Sequence, residues 1–207
     1  MIAFKLSRIK LFLIYFSFTF LANASNEGFS FEDAHCVAWK TKKKVLIFKS
    51  LEPVGINCSI KARFKRKDTG YYIEVSVPIE KFDSNEPMRD KEVSKILKAN
   101  IRPNLIIETE AHSLQHWKFQ LKSNNFKNNL NIKIANRSFI LETNAKREEK
   151  EGLITVKGKV ITSFSSLSLR PPGFAWGLIT KVSDYLELYY NIDISKIEGF
   201  KKALMEP

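Results

Sequence analysis

Eight stretches of this chain alternate apolar and polar residues with a period of two. Ile56, Cys58, Ile60, Ala62 and Phe64 share one face, against Lys61, Arg63 and Lys65 on the other. Tyr71, Ile73, Val75, Val77 and Ile79 alternate with Tyr72, Glu74, Ser76 and Glu80. The same pattern returns through Leu105, Ile107, Thr109 and Ala111; through Trp117, Phe119 and Leu121; and through Leu130, Ile132 and Ile134. It recurs through Phe139, Leu141 and Thr143, from Ile154 to Phe164, and from Leu186 to Ile194. Successive side chains of a strand point to opposite faces, so each stretch reads as a strand with one dry and one wet face.

The connections narrow the architecture. Lys67-Asp-Thr-Gly70, Ala135-Asn-Arg137, residues 123–125 and residues 147–152 carry turn chemistry and read as hairpins. No strand–helix–strand alternation runs through the chain, which excludes a parallel sheet. An antiparallel sandwich and an up-and-down barrel remain. Residues 36–50 read either as one bent strand or as two, and Thr41 to Lys44 looks too basic to be buried. One connection is long. Asp83, Ser84 and Asn85 start a turn, and Pro87 suits a first helical turn, where its missing N–H is not needed. Met88, Val93, Ile96 and Leu97 then share a helical face. The last residues, from Lys196, read as a short basic helix with Phe200 and Leu204 as docking points.

The first 24 residues read as a secretory leader rather than as part of the fold. Lys5, Arg8 and Lys10 precede an apolar run from Leu11 to Leu21, and Ala22-Asn-Ala24 has the small-x-small form of a cleavage site. Residues 25–207 then form one domain, and 44% hydrophobic residues with 16 Phe supply a packed interior. The net charge of +12 attracts anionic surfaces, but export makes nucleic acid an unsuitable partner. Cys36 and Cys58 are the only cysteines. In an exported chain they form a bridge or remain two buried thiols, and the sequence leaves both open.

The segment Asp83-Ser-Asn-Glu86 followed by Arg89-Asp90 resembles the signature of the YceI-like family of bacterial proteins, with Ser84 in place of the family's usual Thr. Leu130-Asn-Ile-Lys-Ile-Ala-Asn-Arg-Ser-Phe139 is similar to a second family stretch, with Lys133 and Arg137 matching. Leu169-Arg-Pro-Pro-Gly-Phe-Ala-Trp-Gly-Leu178, followed by Val182-Ser-Asp184, is similar to a third. The resemblance implies an all-β fold, a single antiparallel eight-stranded lipocalin-like β-barrel with one short helical connection, in the periplasm after cleavage behind Ala24. It also implies a long-chain amphiphilic lipid, polyisoprenoid-like, inside the barrel. An eight-stranded barrel either fills with its own side chains or holds one slim ligand.

On that reading the dry faces supply the tail contacts: Phe64, Ile73, Val75, Ile107, Phe119, Ile132, Val156 and Leu188. Arg89, Lys133 and Arg170 are the candidates to meet a head group at the mouth. The alternative is a solid-cored barrel that binds an anionic envelope partner through its basic exterior. No catalytic constellation, cofactor motif or metal site is expected. His112 and His116 lack the converging ligands that zinc needs. Asp83, Glu86 and Asp90 beside Arg89 read as a capped turn with a local ion pair rather than as paired acids. Transient membrane contact through Phe174-Ala-Trp176 and pairing into a homodimer are both left open.

Overall fold

The computed structural model describes residues 31, 33–45, 49–172 and 180–205. The expected leader and the expected apolar tip at residues 174–176 lie outside them. The described chain is mostly strand: β1 (Cys36–Val45), β2 (Lys49–Leu51), β3 (Val54–Asn57), β4 (Lys61–Lys67), β5 (Gly70–Pro78), β6 (Asn104–Thr109), β7 (Asn125–Ile134), β8 (Arg137–Lys150), β9 (Leu153–Thr162), β10 (Thr180–Asp193) and β11 (Ile197–Glu198). Three short helices accompany them: α1 (Pro87–Ile96), α2 (Leu114–Gln120) and α3 (Phe200–Met205).

All these strands belong to one sheet, in the order β11-β4-β5-β6-β7-β8-β9-β10-β1-β2, with β3 also paired to β1. Every pairing is antiparallel except β11 with β4, where Ile197 and Glu198 run parallel to Ala62 and Arg63. The expectation of eight strands is therefore corrected to eleven among the described residues, and that of one short helical connection to two, α1 and α2, while α3 falls within the basic tail that reads as a helix. The ladders do not close into a ring: β3 pairs with β1 and β4 with β5, but residues 58–60 interrupt the line between them. A disulfide pins the first residue of this break to β1: it joins Cys36 at the start of β1 to Cys58 just after β3, one position beyond the Val37–Asn57 pair. It resolves the open question about the two thiols.

Local chemistry accounts for the elements. The hairpins at residues 68–69, 135–136 and 151–152 turn where the sequence predicts. Gly70 has a φ of +141°, and a Cβ there would lie 2.5 Å from the carbonyl oxygen of His112. Only glycine lets the start of β5 approach that backbone. Residues 36–51 form two strands, and Thr41 is buried after all, its hydroxyl donating to the Tyr185 carbonyl at 2.6 Å. The pairing of β1 with β10 slips between Thr41 and Lys43, a bulge that redirects the basic run.

The region 114–121 departs from the expected strand. Trp117, Phe119 and Leu121 do alternate, but Leu114, Trp117 and Leu121 also satisfy helical spacing. The Ser113 hydroxyl accepts from the His116 N–H at 3.2 Å and caps the helix. The cap decides between the two periods. Residues 121–124 consequently link α2 to β7, and the hairpin expected at 123–125 does not form.

The outer wall carries its own electrostatics. Glu187 on β10 is 5% exposed, accepts from the hydroxyls of Tyr185 and Tyr189, and lies 3.1 Å from the Lys159 ammonium. Burial alone would raise its pKa. The two hydroxyls and the ammonium outweigh that and hold the carboxyl down at about 2, against an ordinary 4.5. A depressed carboxyl pKa contributes stability above the unfolded-state value and loses it as pH falls toward the folded one. Urea midpoints should therefore drop between pH 5 and pH 2 more steeply in the wild type than in Glu187→Gln. Parallel profiles for the two proteins would assign the acid sensitivity to other groups.

Candidate functional site

The two ends of the sheet are closed differently. The chain leaves β5 at Pro78, passes through a 3₁₀ turn (Ile79–Lys81) and α1, and re-enters the sheet at Asn104, so α1 belongs to that end. The α2 helix connects the opposite ends of β6 and β7, and α3 follows the end of β10 on the same side. Between them lies a cavity of about 820 Å³. Its size is in the range of sites that enclose a small molecule. The interior is therefore not filled by its own side chains.

The wall is apolar. Ile73, Val75, Ile107, Ile132, Val156 and Leu188 all face the cavity, as their strand registers predict. Val75, Ile107 and Ile132 sit side by side across β5, β6 and β7. Trp39, Leu130, Val160 and Leu186 complete much of the remainder. At the α1 end, Met88 and Leu51 line the cavity and also reach solvent, with 71% and 41% exposure, which marks the opening.

The α2 end is plugged by aromatic rings. Phe64 stacks on Tyr71 at 5.2 Å and meets Trp117 and Phe200 edge-on at 5.8 and 4.9 Å. The Trp117 indole N–H donates to the Tyr71 carbonyl at 2.8 Å, which gives the buried donor its partner. Trp117 and Phe200 form the cavity surface, with Phe64 behind them. Phe64 is thus part of the plug and not of the lining, a correction to its expected position. Phe119 is corrected outright: α2 turns it outward, and it is 68% exposed.

The expected head-group residues separate. Arg89 lies at the opening. Its Nε donates to the Ser84 hydroxyl at 2.8 Å and its Nη2 to the Ser84 carbonyl at 2.6 Å, while Ser84 donates to Asp90 at 2.5 Å. This network locks the turn before α1, with Asn85 in the left-handed region at φ +57°. The family-like signature therefore works as the clasp of the α1 end. Lys133 is on the outer face of the sheet, paired with Glu108 at 2.5 Å. Arg170 is exposed and outside the lining, although Leu169 and Pro172 beside it belong to it. Lys133 thus does not stand at the opening as expected, whereas Arg170 belongs to the connection between β9 and β10 at the α1 end.

The interior also holds polar groups. The Thr109 hydroxyl accepts from the Ile73 N–H at 2.9 Å, and the Tyr190 hydroxyl is 3.3 Å from that of Thr143. Burial raises the Tyr190 pKa, so the phenol stays neutral. Among the described residues, three that line the cavity also carry a fully buried side-chain atom without a partner: Trp39 Nε1, Gln120 Oε1 and Asn128 Oδ1. Gln120 was hidden by the strand reading of residues 117–121, which put it on the wet face. Asn128 and Phe126 continue the Leu130, Ile132 and Ile134 alternation backward, a signal present in the sequence.

Solved structures share this architecture. BcnA of Burkholderia cenocepacia superposes with a TM-score of 0.55 at 11% identity, over 77% of this chain and 98% of its own. A polyisoprenoid-binding domain of Saccharophagus degradans, implicated in plant cell wall breakdown, superposes with a TM-score of 0.52 at 5% identity, over 77% and 97%. A YceI protein of Campylobacter jejuni gives 0.41 at 11% identity, over 88% and 98%. No family model and no curated protein matches the sequence. The YceI-like resemblance read from the signature residues is borne out at the level of the fold, which this chain shares with BcnA and the polyisoprenoid-binding domain.

Proposed function

We propose that this protein is an exported carrier or store that holds one long-chain amphiphile, polyisoprenoid-like, in the cavity between α1 and α2. The observation that carries the reading is the apolar cavity itself, about 820 Å³ and open at the Met88 and Leu51 end. On this reading the sheet works as a lipocalin-like barrel, with β3 and β4 serving as one bent strand between β1 and β5. Ile73, Val75, Ile107, Ile132, Val156 and Leu188 are the tail contacts. Each methylene taken out of water contributes ~0.8 kcal/mol. Some ten of them offset the ordering of a flexible chain and reach about micromolar affinity. The fold of a polyisoprenoid-binding domain supports the same ligand class.

The test is native mass spectrometry and organic extraction of protein purified from its own host. The expected result is one lipid per chain. Protein that emerges empty and then takes up no long-chain lipid would favour the rival reading, an anionic envelope partner bound by the basic exterior.

A further inference from the structure

The helix at the opening has two differently built sides. One lines the cavity through Met88, Arg89, Glu92, Val93, Ile96 and Leu97. The other is exposed and basic. Lys91 follows Met88 by three residues and Lys95 follows Lys91 by four, spacings that make neighbours on a helix surface. Lys98 comes just past the helix end, and its carbonyl accepts from the N–H groups of Ile101 at 2.9 Å and Arg102 at 3.1 Å. That turn keeps Ile101 and Arg102 beside it. Met88, the three lysines, Asn100, Ile101 and Arg102 are all the exposed residues from 88 to 102, and none is acidic. The acids within this stretch serve other contacts: Asp90 accepts from Ser84, and Glu92 belongs to the lining, 3.6 Å from Lys95. Glu86, at the N-cap, is the exposed acid next to it in sequence. Met88 is 71% exposed and Ile101 59%, so two large apolar side chains stand in water among four cations.

We infer that this strip docks the opening on an anionic phospholipid bilayer, with Lys91, Lys95, Lys98 and Arg102 among the head groups and Met88 and Ile101 reaching past them. Alternating cations and exposed apolar side chains match a surface whose anionic layer lies over hydrocarbon. A hydrated polyanion would leave Met88 and Ile101 in water. The purpose of the docking rests on the carrier reading and specifies it: a long-chain amphiphile passes between bilayer and cavity without crossing water. Met88 belongs to both the strip and the lining, so the two apolar surfaces meet there.

The experiment is flotation with vesicles of phosphatidylglycerol and phosphatidylcholine in equal parts, against pure phosphatidylcholine. Wild type should bind the anionic vesicles, release them in high salt and ignore the neutral ones. A lysine near such a surface contributes about five-fold in affinity, so Lys91→Gln/Lys95→Gln/Lys98→Gln should bind about 100-fold more weakly. Glutamine keeps the helix-forming tendency of lysine. Lys118→Gln/Lys122→Gln/Lys201→Gln removes the same charge from exposed positions at the α2 end and should lose far less. Equal losses in the two variants would reduce the effect to net charge and overturn the strip. A solvatochromic label gives a second readout. Cys36 and Cys58 are bonded to each other, so a label on Ile101→Cys reports from one place. Its emission should shift to the blue on anionic vesicles, whereas a label on Phe119→Cys, 68% exposed at the other end, should not shift. An unshifted Ile101 label, or polyglutamate bound as tightly as the vesicles, overturns the bilayer as the partner. Protein that floats with anionic vesicles but holds no lipid when purified from its host keeps the docking and overturns the carrier reading. Lipid-loaded protein that floats with neither vesicle does the reverse.

Discussion

Ile107→Trp combined with Leu188→Trp should leave the protein folded and abolish lipid binding. The two residues face the cavity from β6 and β10, four strands apart in the sheet order. Neither is among the fully buried core residues, because the side of each that is not packed faces the void. Two indoles entering from these positions occupy space that nothing else fills. Larger residues forced into a well-packed core cost typically about 1–3 kcal/mol, and a void lowers that cost. The melting temperature should therefore move by a few degrees at most. Displacing room for three or four methylenes removes roughly 3 kcal/mol of burial, so affinity should fall at least about 100-fold. Isothermal titration with a long-chain lipid, alongside extraction of host-purified protein, measures both. A folded double variant that still carries its lipid would show that the ligand lies elsewhere.

This prediction could be framed from the sequence for some residues and not for others. Six of the eight apolar candidates face the cavity because strand alternation is a strict rule: once one residue's side is known, the rest follow. Phe119 failed because Trp117-Lys-Phe-Gln-Leu121 fits two periods at once, and a hydroxyl four residues before Trp117 chose the helix. Phe64 lies on the dry face, but α3 delivers Phe200 against it and takes it out of the lining. No periodicity reports where a distant helix docks. Lys133 failed for another reason: a resemblance fixes positions in a motif, whereas the wall or rim that a side chain serves depends on which elements end beside it. The clasp was legible in its residues, Ser84, Arg89 and Asp90, and as a capped turn; Arg89 was also a candidate to meet a head group, and the geometry commits it to the turn. The buried amides of Gln120 and Asn128 were the least legible part, one on a misread helix and the other in the unread start of β7.

Removing the Cys36–Cys58 bond should be the most damaging change available outside the cavity. The bond spans 22 residues of sequence and pins the end of β3, where the line to β4 breaks off, to the start of β1. In the chain-entropy account, opening a loop of that length costs about 3 kcal/mol by freeing the unfolded chain. For a domain of this size that corresponds to a fall in melting temperature of roughly 6–12 °C. The loss should also be local. β3 holds β1 through only four paired positions, Val37–Asn57 to Lys40–Val54, and no continuous ladder carries the strain onward to β4. Amide exchange at Asn57 should therefore accelerate before that of β7 or β8, which share ten paired positions. Cys36 is fully buried, so Cys36→Ala/Cys58→Ala also alters packing; reducing the wild-type protein separates the two effects. Equal losses on reduction and on substitution assign the stability to the bond. A wild-type protein that melts unchanged after verified reduction would mean that backbone pairing holds the break unaided, and the sheet would then need no covalent seam to keep its cavity enclosed.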